Sequence, residues 1–239
     1  MREKRTGGVK TPRFLFINTS MKSFMQFKNH PTVVYGKLQP HDEAKIKEND
    51  KIISHFRETG LLSKYEKMSH PNETETLREL MQLKDIMKSA SDDDMIFANF
   101  AETDEQEMYR KFAKKIGIHL PHDYVSNVLD QTDPILFYLK KHHNRARPEQ
   151  FANAHRIPFQ AAITHTAFHP AFPSGHAFDS YIMEHVLKQL SPNHSAEIEK
   201  FTEAMRNSRL HAGLHYPSDN EVSKKLAQDV IENNLIELP

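Results

Sequence analysis

PSGHAFDSYIMEHVLKQL, Pro173 to Leu190, reads as a turn that runs into a helix. Pro and Gly suit the turn and Ser is a favoured N-cap. Beyond them Met183, Val186, Leu187 and Leu190 recur at three- and four-residue spacing, the apolar stripe of an amphipathic helix. Similar stripes run through most of the chain after residue 40, and only 7 of 239 residues are Gly. The fold class expected is therefore all-α. The first turn of a helix also presents unpaired amides and partial positive charge, which suit an anion, so PSGH bears on function as well.

Working outward, residues 42–58 carry Ile46, Ile53 and Phe56 on one face and stop at Gly60, a C-terminal cap. Residues 73–89 repeat the pattern with Leu80, Leu83 and Met87. Residues 104–116 follow, with Thr103 and Gln106 as a capping box and Met108, Phe112 and Ile116 as the stripe. The acidic run Asp92 to Asp94 reads as a solvated loop. Asp133 and Pro134 open a helix through PILFYLKKHH, which ends in positive charge at Lys140, Lys141, Arg145 and Arg147. Two further helices are expected. One covers residues 195–214 with Ile198, Phe201 and Met205 inward; the other begins near Asp219 and buries Val222, Leu226, Val230 and Ile231. The short β-leaning runs RFLFI and TVVYG set residues 1–40 apart as an arm or small hairpin, and residues 41–239 form a single helical domain.

Lys plus Arg equals Asp plus Glu at 32 each, so no overall field favours a nucleic acid polymer or an acidic membrane surface. An anion site must be local. The absence of Cys excludes disulfides, thiolate catalysis and Cys-based zinc sites. No apolar run approaches the ~18 residues of a membrane-spanning helix; the longest are Phe14 to Ile17 and Ile135 to Leu139. Read from Met1, the basic opening has too short an apolar run for a secretory leader, so a cytoplasmic protein is expected. Composition leaves the oligomeric state open.

SRLHAGLHYPSD, Ser208 to Asp219, first reads as a metal site, because His211, His215 and Asp219 are spaced as three ligands on one helix face. Pro217 opposes that reading, since it disfavours helix at Tyr216 and makes Asp219 a cap of the next helix. What remains is a histidine with a carboxylate four residues on and an arginine six residues before it. A carboxylate on one ring nitrogen fixes the tautomer and frees the other nitrogen to attack. Arg209 can hold two oxygens of a tetrahedral oxyanion.

Three blocks now stand in order: KKHHNRARP, with Lys140 six residues before Arg147-Pro148; PSGH at Pro173 to His176; and SRLHAGLHYPSD, with Ser208, Arg209, His215 and Asp219. Together they resemble the signature of the type 2 phosphatidic acid phosphatase superfamily, which includes bacterial class A acid phosphatases and vanadium haloperoxidases. At roughly 5% usage per position, PSGH alone should occur in about one in a thousand chains of this length, and all three blocks in order are far rarer. The resemblance covers residues 140 to 219 and implies a helical bundle of the same type.

It also implies roles. Lys140, Arg147 and Arg209, with Ser174 and the Gly175 amide, would bind phosphate; His215 would attack phosphorus, Asp219 would hold its ring, and His176 would protonate the leaving group and later activate water. The two histidines would start in opposite protonation states. No metal and no cofactor are implied; vanadate would act as an inhibitor. The reaction expected is metal-independent hydrolysis of a small soluble phosphomonoester. One alternative is a vanadium-dependent haloperoxidase with vanadate as cofactor in the same cage, and another is a non-catalytic phosphate- or nucleotide-binding protein. His165, His169 and His211 read as surface or structural residues, and Ser208, Pro148 and Pro173 as structural.

Overall fold

Apolar stripes at helical spacing and strong local caps dictate the architecture. The computed structural model describes residues 38, 40–46, 50–164 and 167–238, and among them every regular element is a helix. The arm or hairpin expected over residues 1–40 lies outside the described residues, apart from Leu38 and Pro40. None of the described helices is long and apolar enough to cross a membrane.

The expected helix over residues 42–58 is two pieces, α1 (Pro40–Glu43) and α2 (Lys51–Glu58). Asp50 starts the second, its side chain accepting from the Ile52 amide, and Gly60 follows its end at φ 77°. After α3 (Leu61–Glu66), α4 spans Glu73–Ser89, closed at its start by a capping box between Asn72 and Glu75. The acidic run is not a loop. Asp92 to Asp94 form the first turn of α5 (Asp92–Thr103), where carboxylates favour the positive helix end, and Ser91 with Asp94 makes a capping box. The next cap is also corrected: Asp104, not Thr103, starts α6 (Glu105–Lys115), accepting from the Glu107 amide at 2.9 Å. Periodicity missed α5 and three short helices, α3, α7 (Tyr124–Leu129) and α9 (Pro148–Ala154), the last begun by the proline after Arg147. Between those two, α8 spans Asp133–His143, with Thr132 rather than Asp133 at the N-cap position.

The quoted stretch forms α10 (Gly175–Leu190), the central helix. Phe178, Ile182, Met183, Val186 and Leu187 are fully buried, packed between α11 (Ser195–His211) and α12 (Pro217–Glu232). Burying a side chain of this kind contributes about 1.5–3 kcal/mol relative to exposure, so this helix anchors the whole bundle. Its start is the Ser174 N-cap, with Gly175 and His176 in the first turn.

α11 stops at His211, three residues earlier than its apolar pattern implies, and the cause is Gly213 rather than Pro217. Gly213 takes φ 71°, and the Leu214 amide reaches back to the Arg209 carbonyl at 2.9 Å. This left-handed cap turns the chain, so that Arg209 stays on the helix while His215 stands beyond the turn. A Cβ at Gly213 would lie 2.8 Å from the Met87 sulfur and methyl and 3.2 Å from Phe159. Met87 is flexible and can yield, but the left-handed backbone cannot be relieved. Gly213→Ala should therefore cost about 1–2 kcal/mol, read as a lower urea midpoint at unchanged m-value; an unaltered midpoint would show that this turn is not held left-handed.

Candidate functional site

Residues from all three sequence blocks border one cavity of about 340 Å³: Lys140, Arg147, Gly175, His176, Arg209 and His215. Secondary structure explains the convergence. Lys140 projects from the last turn of α8, Arg147 immediately precedes α9, Gly175 and His176 open α10, Arg209 lies in the last turn of α11, and His215 lies between the Gly213 turn and α12. The start of α10 thus brings its positive helix end to a cavity that three basic side chains also line.

Each base is held before any ligand arrives. Lys140 is fully buried and donates to the carbonyls of Pro170 at 3.1 Å and Pro173 at 2.5 Å. Arg147 donates through Nε to the His169 carbonyl at 3.0 Å and through one terminal nitrogen to the Leu214 carbonyl at 2.8 Å. That same nitrogen lies 2.7 Å from His215 Nε2. Arg209 is paired with the Glu102 carboxylate from the end of α5. Burial, followed by the nearby Arg147 guanidinium, pushes the Lys140 ammonium well below the usual lysine range.

His215 is 2% exposed, and its Nδ1 lies 3.1 Å from Asp219 Oδ2. The Asp219 carboxyl also accepts from the Tyr216 amide at 2.9 Å and, on its other oxygen, from Arg145 at 2.6 Å. Three donors on one buried carboxyl favour its ionised form, against the burial that pushes it up. The tautomer follows: Nδ1–H donates to Asp219, and the Nε2 lone pair accepts from Arg147. Burial first, and then Arg147, Lys140 and Arg209, hold His215 well below the usual histidine range. The result is a neutral imidazole with its lone pair turned toward the guanidinium, chemically a nucleophile or a ligand rather than an acid.

His176 departs from the expectation of opposite charge states. Burial, and then Arg209, push it well below the usual range too, so both rings are neutral without a ligand. Its Nε2 faces the Ala101 carbonyl at 3.3 Å and a Glu105 oxygen at 3.5 Å.

Ser174, expected to touch a phosphate, stands behind the cavity wall, as does Asp219, expected to hold the His215 ring. Asp219 orients His215 from there, and Ser174 is fully buried as an N-cap, its Oγ accepting from the Ala177 amide at 3.4 Å. The Ser174 amide and carbonyl join α10 to α12, through the Asp219 carbonyl at 3.3 Å and the Ser223 hydroxyl at 2.7 Å. His169, read from sequence as surface or structural, borders the cavity, its Nδ1 3.1 Å from Arg147. His165 lies outside the described residues. His211 ends α11 before the Gly213 turn, so the helical spacing that would align it with His215 is lost.

Sequence reasoning placed Arg145 in the positive cluster but gave it no partner. It bridges Asp219 to Glu79 of α4, at 2.7 Å from the latter, and its guanidinium lies 4.0 Å from the Tyr216 ring centroid. Glu79 also accepts from the Ser218 amide and hydroxyl, both at 2.9 Å. The acidic residues that line the same cavity, Glu105, Asp133 and Asp179, carried no site signal in the sequence either. No spacing rule in one sequence marks contacts that cross 66 or 74 residues.

Removing Arg145 would leave Asp219 and Glu79 without their shared cation in a buried place. Arg145→Ala should lower stability by about 3–5 kcal/mol, with Arg145→Lys intermediate because a point charge cannot satisfy both carboxylates in fork geometry. Urea unfolding at neutral pH measures this; a loss below about 1 kcal/mol would show that Asp219 is held by its other donors alone.

No protein-family model matches the chain, and no curated protein matches it significantly.

Proposed function

We propose that the protein is a metal-independent phosphatase that hydrolyses phosphomonoesters through a phosphohistidine on His215. The observation that carries this reading is the neutral His215 ring, held by Asp219 on Nδ1, beside a cavity lined by Lys140, Arg147 and Arg209. A transferring phosphoryl group spreads negative charge over its equatorial oxygens, and fixed cations around them lower the barrier without reorganising. Three basic side chains and a helix N-terminus supply that charge. Gly175 fits the same purpose. A Cβ there would meet Leu136 and Lys140 only at 3.7 and 4.0 Å, so nothing among the described residues demands glycine, whereas a ligand approaching the first-turn amides would.

In this mechanism Arg147 has two tasks. Without substrate it donates to the His215 lone pair. Phosphate oxygens compete for its fork, which frees Nε2 to attack phosphorus in line with the leaving oxygen. His176 protonates that oxygen, and in the second half of the cycle takes a proton from the water that hydrolyses the phosphohistidine. A small phosphorylated substrate fits a cavity of about 340 Å³; vanadate, with the same charge and a similar shape, should inhibit. A haloperoxidase would instead retain vanadate as its working group.

The test is p-nitrophenyl phosphate hydrolysis beside bromide oxidation, each with and without EDTA and orthovanadate. The expected outcome is hydrolysis that EDTA leaves intact and micromolar vanadate suppresses. Because His215 binds its proton only well below the ordinary 6.5, its lone pair persists as pH falls, so the acid limb of kcat/KM should lie below that value. Loss of activity in EDTA with recovery on adding zinc or magnesium, or an acid limb at or above 6.5, would contradict the reading, and bromide oxidation without hydrolysis would replace it. Phosphate binding with no turnover from pH 4 to 9 would make the protein a binding module.

A further inference from the structure

The cavity that holds the three bases has a second, oppositely charged end. Asp133 and Lys140 lie two turns apart on one face of α8, about 10 Å by the helical rise, and both border the cavity with Leu136 and Phe137 between them. Asp42, Glu105 and Asp179 border it too. Glu105 and Asp179 stand on the side of His176: a Glu105 oxygen lies 3.5 Å from its ring, and Asp179 follows it by one turn of α10. Bases thus gather where a phosphate would sit, and acids where its leaving group would depart.

The acids outnumber their cations. Lys45 answers Asp133, its Nζ 2.8 Å from the carboxylate and 4.9 Å from the Phe137 ring centroid. Among the described residues no Lys or Arg pairs with the other three. Asp42 is 6% exposed, and within ion-pair distance its carboxyl meets only the solvent-exposed His41 ring, at 3.3 Å. Glu105 Oε1 and Asp179 Oδ1 are buried without a hydrogen-bond partner among the described residues. Carboxyl oxygens so placed are costly until a donor reaches them. Burial, and then Glu105, push Asp179 well above the carboxylate range, and burial pushes Asp133 up against the pull of Lys45, as expected where a cation is lacking.

Resting on the phosphatase reading, we infer that the substrate is an amine-bearing alkyl phosphate: a phosphomonoester whose leaving alcohol carries a primary ammonium a few carbons from the ester oxygen. Lys140, Arg147 and Arg209 take the phosphate, and the wall of Asp42, Glu105 and Asp179 takes the ammonium. Leu136 and Phe137 face the carbons between. A metal ion fits this wall poorly, because among the described residues no group of three acids or histidines closes on one point that could hold it. Spread acceptors suit the three donors of an alkylammonium instead. Lys45 already shows the arrangement, with a carboxylate and an aromatic face around one ammonium. Hydrolysis then releases phosphate and an amino alcohol.

The test compares aminoethyl phosphate with propyl phosphate, in which a methyl group replaces the ammonium at the same length. At neutral pH kcat/KM should favour the amine by at least about tenfold, the lower end of what a hydrogen bond to a charged group contributes. Asp42→Asn and Asp179→Asn should each lower that ratio by at least about threefold, and a ratio is insensitive to any loss of folded protein. Equal kcat/KM for the two esters, or a ratio unmoved in both variants, would overturn the inference. So would stimulation by magnesium or calcium in place of a preference for the amine. Calorimetry separates this inference from the phosphatase reading. Aminopropylphosphonate, which cannot be hydrolysed, should bind at least about tenfold tighter than butylphosphonate, and Asp179→Asn should narrow the gap. If wild-type protein turned over neither ester, the phosphatase reading would fall, and the phosphonate pair alone would decide whether the acidic wall takes an ammonium.

Discussion

The Asp219 carboxyl is the point on which the three sequence blocks are hung. One oxygen takes Arg145, from the loop that follows α8, and the other takes the Tyr216 amide and His215 Nδ1. Its backbone carbonyl accepts from the Ser174 amide at 3.3 Å, which fastens the start of α10 to the start of α12. A fully buried carboxyl is costly unless every lone pair finds a donor. Here satisfying that one group fixes the positions of a cation-bearing loop, a histidine ring and a helix N-terminus together. The cavity geometry is thus a by-product of solving a burial problem.

Around that node the bases are preorganised by acceptors that cannot move far. Lys140 spans two backbone carbonyls, Arg147 is threaded between the carbonyls of residues 169 and 214, and Arg209 is locked to Glu102. Fixed dipoles and charges of this kind stabilise charge that develops in a reaction without a cost of reorientation at that moment. Burial, and after it the same cations, hold His215 and His176 well below the usual histidine range. In the proposed chemistry this suits the nucleophile and handicaps the acid.

What sequence could reveal here was local. Ser174 ahead of a helix, Gly213 and Pro217 in a short breaker, and Asp219 four residues after His215 are all features of neighbouring residues, where turn and cap chemistry applies directly. Where two local signals compete, the quieter one wins: Gly213, ahead of Pro217, turns the chain after α11, and the Ser91–Asp94 cap makes a helix of the acidic run Asp92 to Asp94. The supporting contacts were out of reach, because Arg145 with Glu79, Arg209 with Glu102 and His176 with Glu105 join segments that only the packing of α4, α5 and α6 against the rest brings together. His169 lines the cavity, and no spacing distinguishes such a histidine from one at the surface.

The central claim is that His215 Nε2 forms a covalent bond to phosphorus. Rapid mixing with ³²P-labelled substrate, an alkaline quench that preserves phosphoramidates, and peptide mapping test it most directly. The account predicts alkali-stable, acid-labile label on the peptide holding His215, and none in His215→Ala. Turnover with label on another residue, or with no trapped label under conditions that slow hydrolysis of the intermediate, would contradict it.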